Sequence, residues 1–175
     1  EALGDAGTWL LALPAHYIAG VQVCVRAHLA GTQPIFLHPD PFSSIAFASR
    51  ADEVSAARTE GPVFTSLVPA QLQRLLDDAK DMPALLEVMR SFAAVLVGGQ
   101  AVPQTLLEQA HEAGVSVKRT YGSSETAGGC VWDGRPLSGV VLDEREGRIA
   151  IAGPMLAEGY IDNPEKTAEH FLEGS

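Results

Sequence analysis

The sequence predicts an α/β fold: a mainly parallel sheet flanked by helices, followed by a small antiparallel β region. Three observations carry that prediction. Short runs such as Phe92-Ala93-Ala94-Val95-Leu96-Val97 are apolar throughout rather than alternating, as expected of strands covered on both faces. Between such runs, apolar residues recur at helical spacing, and βαβα order favours a parallel sheet. After Gly128 the runs shorten and turns multiply, which suits small antiparallel structure.

The elements follow in order. Trp9 to Leu13 reads as a buried strand. Ile18, Val21, Val25 and Leu29 recur at helical spacing, and Gly31 stops that helix. Pro34 to Leu37 reads as a short strand, and residues 39–60 as a helix around Ile45 to Ala57 or partly loop. Val63 to Val68 is strand-like. Pro69 then suits a first helical turn, and Leu72, Leu75, Leu76 and Ala79 make one buried helix face. A further helix covers Ala84 to Arg90, and Phe92 to Val97 is the next strand, ending at Gly98-Gly99. Pro103 opens a helix with the stripe Leu106, Leu107, Ala110 and Ala113, stopped by Gly114. Val115 to Arg119 is a strand that ends at the loop Thr120 to Thr126. Val140 to Leu142 and Arg148 to Ile151 flank an acidic turn, and Asn163-Pro164 caps a last helix through Phe171. The expected division is an α/β unit over residues 1–130 and a β-rich segment with the terminal helix over 131–175.

Composition narrows function. A formal net charge of −10, with Lys80, Lys118 and Lys166 as the lysines, opposes a nucleic-acid surface. No stretch reaches the roughly 18–20 apolar residues that span a bilayer. Cys24 and Cys130 read as reduced thiols of a cytoplasmic protein, with a single disulfide in a secreted domain as the alternative. The N-terminus lacks an initiator Met and a signal-peptide flank, so the chain is expected to begin inside a longer protein.

Parallel neighbouring strands release the chain at the same edge, where such sheets bind ligands. The Gly98-Gly99 turn and the Tyr121–Thr126 loop are therefore expected to build one site. Tyr121 offers a ring for a nucleobase, and Gly122 offers close backbone approach. Ser123 and Ser124 offer hydroxyls for phosphate oxygens, and Glu125 a hard oxygen ligand for Mg²⁺. A plain polar turn is the competing reading. Gly98-Gly99-Gln100 either admits a planar ligand or simply turns the chain. His16-Tyr17, after the first strand, is either structural or part of a substrate pocket. His111-Glu112 lacks a second His at zinc-protease spacing. Gly122-x-Ser124 approaches the serine-hydrolase elbow, but Thr126 stands in place of its closing glycine.

Together these segments resemble the adenylate-forming superfamily of acyl-CoA synthetases, firefly luciferase and peptide-synthetase adenylation domains. Tyr121-Gly122-Ser123-Ser124-Glu125-Thr126 resembles its Tyr-Gly-x-[Ser/Thr]-Glu motif. The stretches 147–154, Gly159-Tyr160 and 163–171 resemble the segment that follows it. Val97 to Pro103 resembles the adenine-contacting Gly-Gly-Ala loop, and Leu13 to Gly20 the acyl-pocket segment Leu-Pro-Leu-Phe-His-x-x-Gly. His16 and Tyr17 depart from that last pattern, standing where the family often has Phe and His.

The resemblance implies ATP, Mg²⁺ and coenzyme A as partners of a small-molecule carboxylate, with no nucleic acid and a homodimer left open. It implies that Tyr121 stacks on adenine opposite Gly98, Gly99, Gln100 and Ala101. Ser124 would meet phosphate, Glu125 would bind Mg²⁺, and both are the candidate catalytic residues. Gly98, Gly122, Ser123, His16 and Tyr17 would border the acyl group. The short spacing from Thr126 to Gly147 most resembles the actinobacterial branch of acid–CoA ligases that act on o-succinylbenzoate in menaquinone synthesis. Other acyl- or aryl-CoA synthetases, amino-acid adenylation domains, a serine hydrolase using Ser124 and a non-catalytic nucleotide-binding module remain as alternatives. The family's Lys-ended phosphate loop, its Thr-Gly-Asp motif and its C-terminal catalytic-lysine domain are not found in the sequence. The chain is therefore expected to be an internal piece of the large N-terminal domain, inactive by itself.

Overall fold

Alternation along short apolar strands makes a sheet with two covered faces. The computed structural model describes residues 3, 6–37, 42–145 and 147–171. Strand β1 (Thr8–Leu11) leads to helix α1 (Ile18–Leu29) and the edge strand β2 (Ile35–Phe36). Helices α2 (Ser44–Ala48) and α3 (Ala51–Glu60) precede β3 (Val63–Leu67). Helices α4 (Pro69–Asp78) and α5 (Pro83–Ser91) lead to β4 (Ala94–Val97), then α6 (Gln104–Glu112) and β5 (Val117–Ser123). Strands β6 (Gly128–Trp132) and β7 (Arg135–Pro136) follow, then β8 (Val141–Arg145), β9 (Arg148–Ala152) and helix α7 (Pro164–His170).

The first sheet has strand order β2-β1-β3-β4-β5-β6-β7, parallel through β5 and antiparallel at β6 and β7. The second sheet is the β8–β9 hairpin. This is the expected fold class. Strand β6 runs through residue 130 within the first sheet, so the chain changes sheets between Pro136 and Val141 rather than at 130.

Successive residues take opposite faces. Trp9, Leu11, Phe64, Ala94 and Leu96 meet Val23 and Ala27 of α1. Leu10, Val63, Leu67, Val95 and Val97 meet Leu72, Leu75, Leu85, Met89 and Leu106 on the other side. One helix thus covers one face, and α2 to α6 cover the other.

Three local expectations are corrected. Helix α1 exists, but its inward face is Gly20, Val23 and Ala27; Val21, Val25 and Leu29 turn outward, Leu29 to 78% exposure. The single helix expected around 45–57 is two. The Ser43 hydroxyl accepts from Ala46 N–H to start α2, and the Ser49 hydroxyl donates to the Ala46 carbonyl at its end. Asp52 and Glu53 then give α3 its own acidic first turn. Finally, β5 does not stop at Arg119: it continues to Ser123 because β6 pairs with it, so most of the expected loop is strand. Residues 39–41 of the 39–60 stretch lie outside the described residues.

Candidate functional site

Strands β4 and β5 run parallel in register, with Val97 beside Arg119. Gly98-Gly99 then leaves the sheet beside Thr120-Tyr121, which continues in β5 against β6. A Cβ on Gly98 would stand 2.3 Å from Thr120 Oγ1 and 2.6 Å from its carbonyl oxygen, so only glycine allows the two strand ends this close. A Cβ on Gly122 would stand 1.9 Å from the Gly128 carbonyl oxygen, where β6 folds back on β5. Gly122 is therefore required by the chain's own crossing, whatever it also offers a ligand. The structure brings the two motifs to one rim.

Gly98, Gly99, Gly122 and Ser123 line a cavity of about 120 Å³ beneath α1. The acyl-pocket segment reaches it through Leu13, Ile18 and Ala19, and α1 adds Gln22 and Arg26. His16 and Tyr17 sit exposed where α1 begins, their rings 4.4 Å apart against each other rather than along the cavity wall. Gln100 and Ala101 are exposed just past the glycine turn. Tyr121 is 52% exposed. Register and alternation place it on the Val97 face of the sheet, opposite the cavity face of Thr120 and Gly122.

Arg26 is a site residue that motif reading missed. Its guanidinium lies 5.2 Å from the Trp9 ring and 5.7 Å from the Trp132 ring. Burial there lowers its pKa from the usual 12.5, yet guanidinium stays a cation in proteins. Among the described residues no carboxylate lies within ion-pair distance of it. A half-buried cation held over two rings and facing a cavity is suited to receive an anion. The available signal was an arginine inside a mostly apolar helix of an acidic chain.

The turn after β5 is held by Thr126, which is buried. Its hydroxyl accepts from Ser123 N–H at 2.8 Å and donates to the Gly128 carbonyl at 2.7 Å. Ser124 is exposed on this turn, and its carbonyl accepts from Ala127 N–H. Glu125 faces a second, larger cavity of about 610 Å³, bounded by the β8–β9 hairpin, Tyr160 and Phe171. The Tyr160 hydroxyl donates to the Glu125 carboxylate, and the Ser123 hydroxyl donates too. These donors, with Lys166 nearby, hold its pKa down to about 2 from 4.5. Glu125 is thus ionised at neutral pH and is chemically able to serve as a hard oxygen ligand. Among the described residues no group of three His, Cys, Asp or Glu forms a metal cage. A single ionised carboxylate is the kind of ligand that Mg²⁺ typically takes once or twice, completing its shell with phosphates and water.

The sequence matches the family described as AMP-binding enzyme over residues 1–161. It is 42% identical over 173 residues to a probable 2-succinylbenzoate–CoA ligase of Mycobacterium tuberculosis, covering 97% of this chain and 43% of that protein. Among solved structures it is similar to Escherichia coli MenE bound to a phenylether-linked analogue of OSB-AMS (28% identity, TM-score 0.68, 90% of this chain and 33% of that one). It shares the fold of Bacillus subtilis o-succinylbenzoate CoA synthetase in complex with ATP and magnesium ion (24% identity, TM-score 0.77, 97% of this chain and 38% of that one). The chain therefore spans less than half the length of the relatives it matches.

Proposed function

The chain belongs to the AMP-binding enzyme family, and from that premise we propose that it forms the nucleotide- and acyl-binding part of an ATP-dependent acid–CoA ligase acting on 2-succinylbenzoate in menaquinone synthesis. The observation that carries this reading is the shared rim of Gly98-Gly99 and Tyr121-Gly122 above a cavity whose far wall holds an arginine without an acidic partner.

In this reading the purine lies on the Tyr121 ring beside Gly98, Gly99, Gln100 and Ala101. The Ser124 hydroxyl meets phosphate, and Glu125 holds Mg²⁺, which offsets phosphate charge when bound. The acyl group enters beneath α1 along Ile18, Gly98, Gly122 and Ser123, with His16 and Tyr17 at the mouth. A carboxylate oxygen of the acid attacks the α-phosphorus and pyrophosphate leaves; the coenzyme A thiol sulfur then attacks the acyl carbon and AMP leaves. A succinylbenzoate has two carboxylates, so one stays anionic while the other reacts. Arg26 supplies its counter-charge. An amino acid would instead need an acid for its ammonium group, and among the described residues no acidic side chain lines the cavity.

The first sheet with its helices is the binding unit, and the second sheet with α7 is a partial second unit. We place the complete protein in the cytoplasm: among the described residues no helix is long and apolar enough to cross a membrane, and Cys24 and Cys130 are free thiols. A homodimer belongs to the same reading, for which the outward α1 stripe supplies an apolar face; light scattering reads its mass. Serine hydrolysis is disfavoured, because Ser124 sits between two antiparallel strands rather than in the strand-to-helix turn of a nucleophile elbow.

The test is pyrophosphate release by the complete protein offered 2-succinylbenzoate, simple benzoates and amino acids. Preference for 2-succinylbenzoate, lost in Arg26→Met with thermal stability kept, is the expected result. Equal turnover of benzoate and 2-succinylbenzoate would remove the assignment of Arg26.

A further inference from the structure

Glu125 is held by a side chain from 35 residues downstream, Tyr160, whose hydroxyl donates to Oε1. The phenol is itself fixed on several sides. Lys166 Nζ stands 4.1 Å over its face, while His170 and Phe171 pack edge-on at 5.9 and 5.7 Å. Its backbone N–H donates to the Thr167 hydroxyl at 2.9 Å, and that hydroxyl donates to the Asn163 carbonyl at 3.0 Å. The Asn163 side chain accepts from Lys166 N–H and caps the start of α7. From the other direction, Ala157 N–H donates to the Glu125 carbonyl at 2.8 Å. Helix α7 and the segment before it thus form a brace whose tip is one hydroxyl on one carboxylate oxygen.

A free glutamate side chain samples several rotamers, and Mg²⁺ demands near-octahedral geometry. We infer that Tyr160 is a positioning residue for the metal ion: by occupying one carboxylate oxygen of Glu125 it presents the other in a single orientation. The inference rests on the proposed role of Glu125. Hydrogen-bonding partners of a metal ligand commonly change metal affinity by about 10–100-fold when removed.

The experiment is calorimetric titration of the complete protein with a non-hydrolysable ATP analogue, with and without Mg²⁺, for the unaltered protein, Tyr160→Phe, Lys166→Gln and Glu125→Gln. The readout is the gain in nucleotide affinity that Mg²⁺ confers. Tyr160→Phe keeps the ring and its packing. It is expected to reduce that gain by about tenfold, while metal-free nucleotide affinity and the KM for the acid stay unchanged and the protein stays folded. Lys166→Gln keeps the hydroxyl and is expected to keep the gain. If Tyr160→Phe keeps the full gain while Glu125→Gln loses it, the positioning role falls and the metal role of Glu125 stands. If Glu125→Gln keeps the gain as well, the metal reading itself falls. Equal losses in Tyr160→Phe and Lys166→Gln would assign the effect to packing and overturn the role of the hydroxyl.

Discussion

Thr126 closes the β5–β6 turn through one oxygen that both accepts and donates. Thr126→Val keeps the shape and strands a part-buried N–H and a buried carbonyl. It should cost about 1–3 kcal/mol in urea denaturation, and Thr126→Ser should recover most of that. Glu125 makes a second prediction at this scale. Its folded pKa, about 2, lies below the ordinary 4.5, so the folded state binds its proton less readily than the unfolded chain. The stability it contributes is fully present above pH 4.5 and is lost as pH falls from 4.5 towards 2. Denaturation midpoints at pH 5 and pH 3 should therefore converge in Glu125→Gln more than in the unaltered chain. Residue types were legible here: a phenol, two hydroxyls and a carboxylate in one motif. Their partners were not, because Tyr160 and Arg26 reach the site from elements distant in sequence.

Among the elements, α1 separates what periodicity says from what packing decides. Two apolar stripes are available on it, and β1, β3 and β4 select the smaller one, Gly20, Val23 and Ala27, because small residues let the helix lie close against Trp9 and Phe64. Val23→Ala should cost about 1–3 kcal/mol as a buried truncation, whereas Val25→Ala should stay within about 0.5 kcal/mol. Thermal unfolding of the pair checks the orientation. Helix α4 shows the opposite case, since Leu72, Leu75 and Leu76 face inward as their spacing requires. There Pro69 opens the first turn. The Gln71 side chain accepts from Val68 N–H and donates to the Ala12 carbonyl, tying the helix to β1. Strand β5 lies between these cases. Its apolar start was readable, but its polar continuation through Tyr121 and Gly122 is strand only because β6 supplies hydrogen-bond partners.

At the scale of the molecule, the rim at the ends of β4 and β5 joins two cavities on different sides of one turn. One lies beneath α1 and presents Arg26; the other lies under the β8–β9 hairpin and presents Glu125. In the proposed function, an acyl site and a metal site on opposite sides of the Ser123–Thr126 turn would place a transferring phosphate near the Ser124 hydroxyl. The chain supplies few cations to neutralise polyphosphate, with net charge −10. The 175-residue chain by itself is therefore expected to show no measurable pyrophosphate release with ATP and 2-succinylbenzoate, while the complete protein does. In the complete protein, Glu125→Gln should lower Mg²⁺-dependent adenylation at least about a hundredfold, by analogy with loss of a preorganised charge contact, with the fold retained. Radiolabelled pyrophosphate exchange measures both.

What the sequence determined by itself was the order of strands and helices, the parallel sheet, the edge where the chain turns, and the two motifs that meet there. These follow from hydrophobic periodicity and from glycine and proline punctuation, which act over a few residues. Tertiary structure alone decided which stripe of α1 faces inward, that the Tyr121 segment is strand, and that Arg26 and Tyr160 reach the site. Those depend on partners brought together by folding, from Val131 beside Tyr121 in the next strand to Tyr160 on Glu125 and Trp132 beside Arg26, and periodicity shows which residues are apolar but not what they will meet.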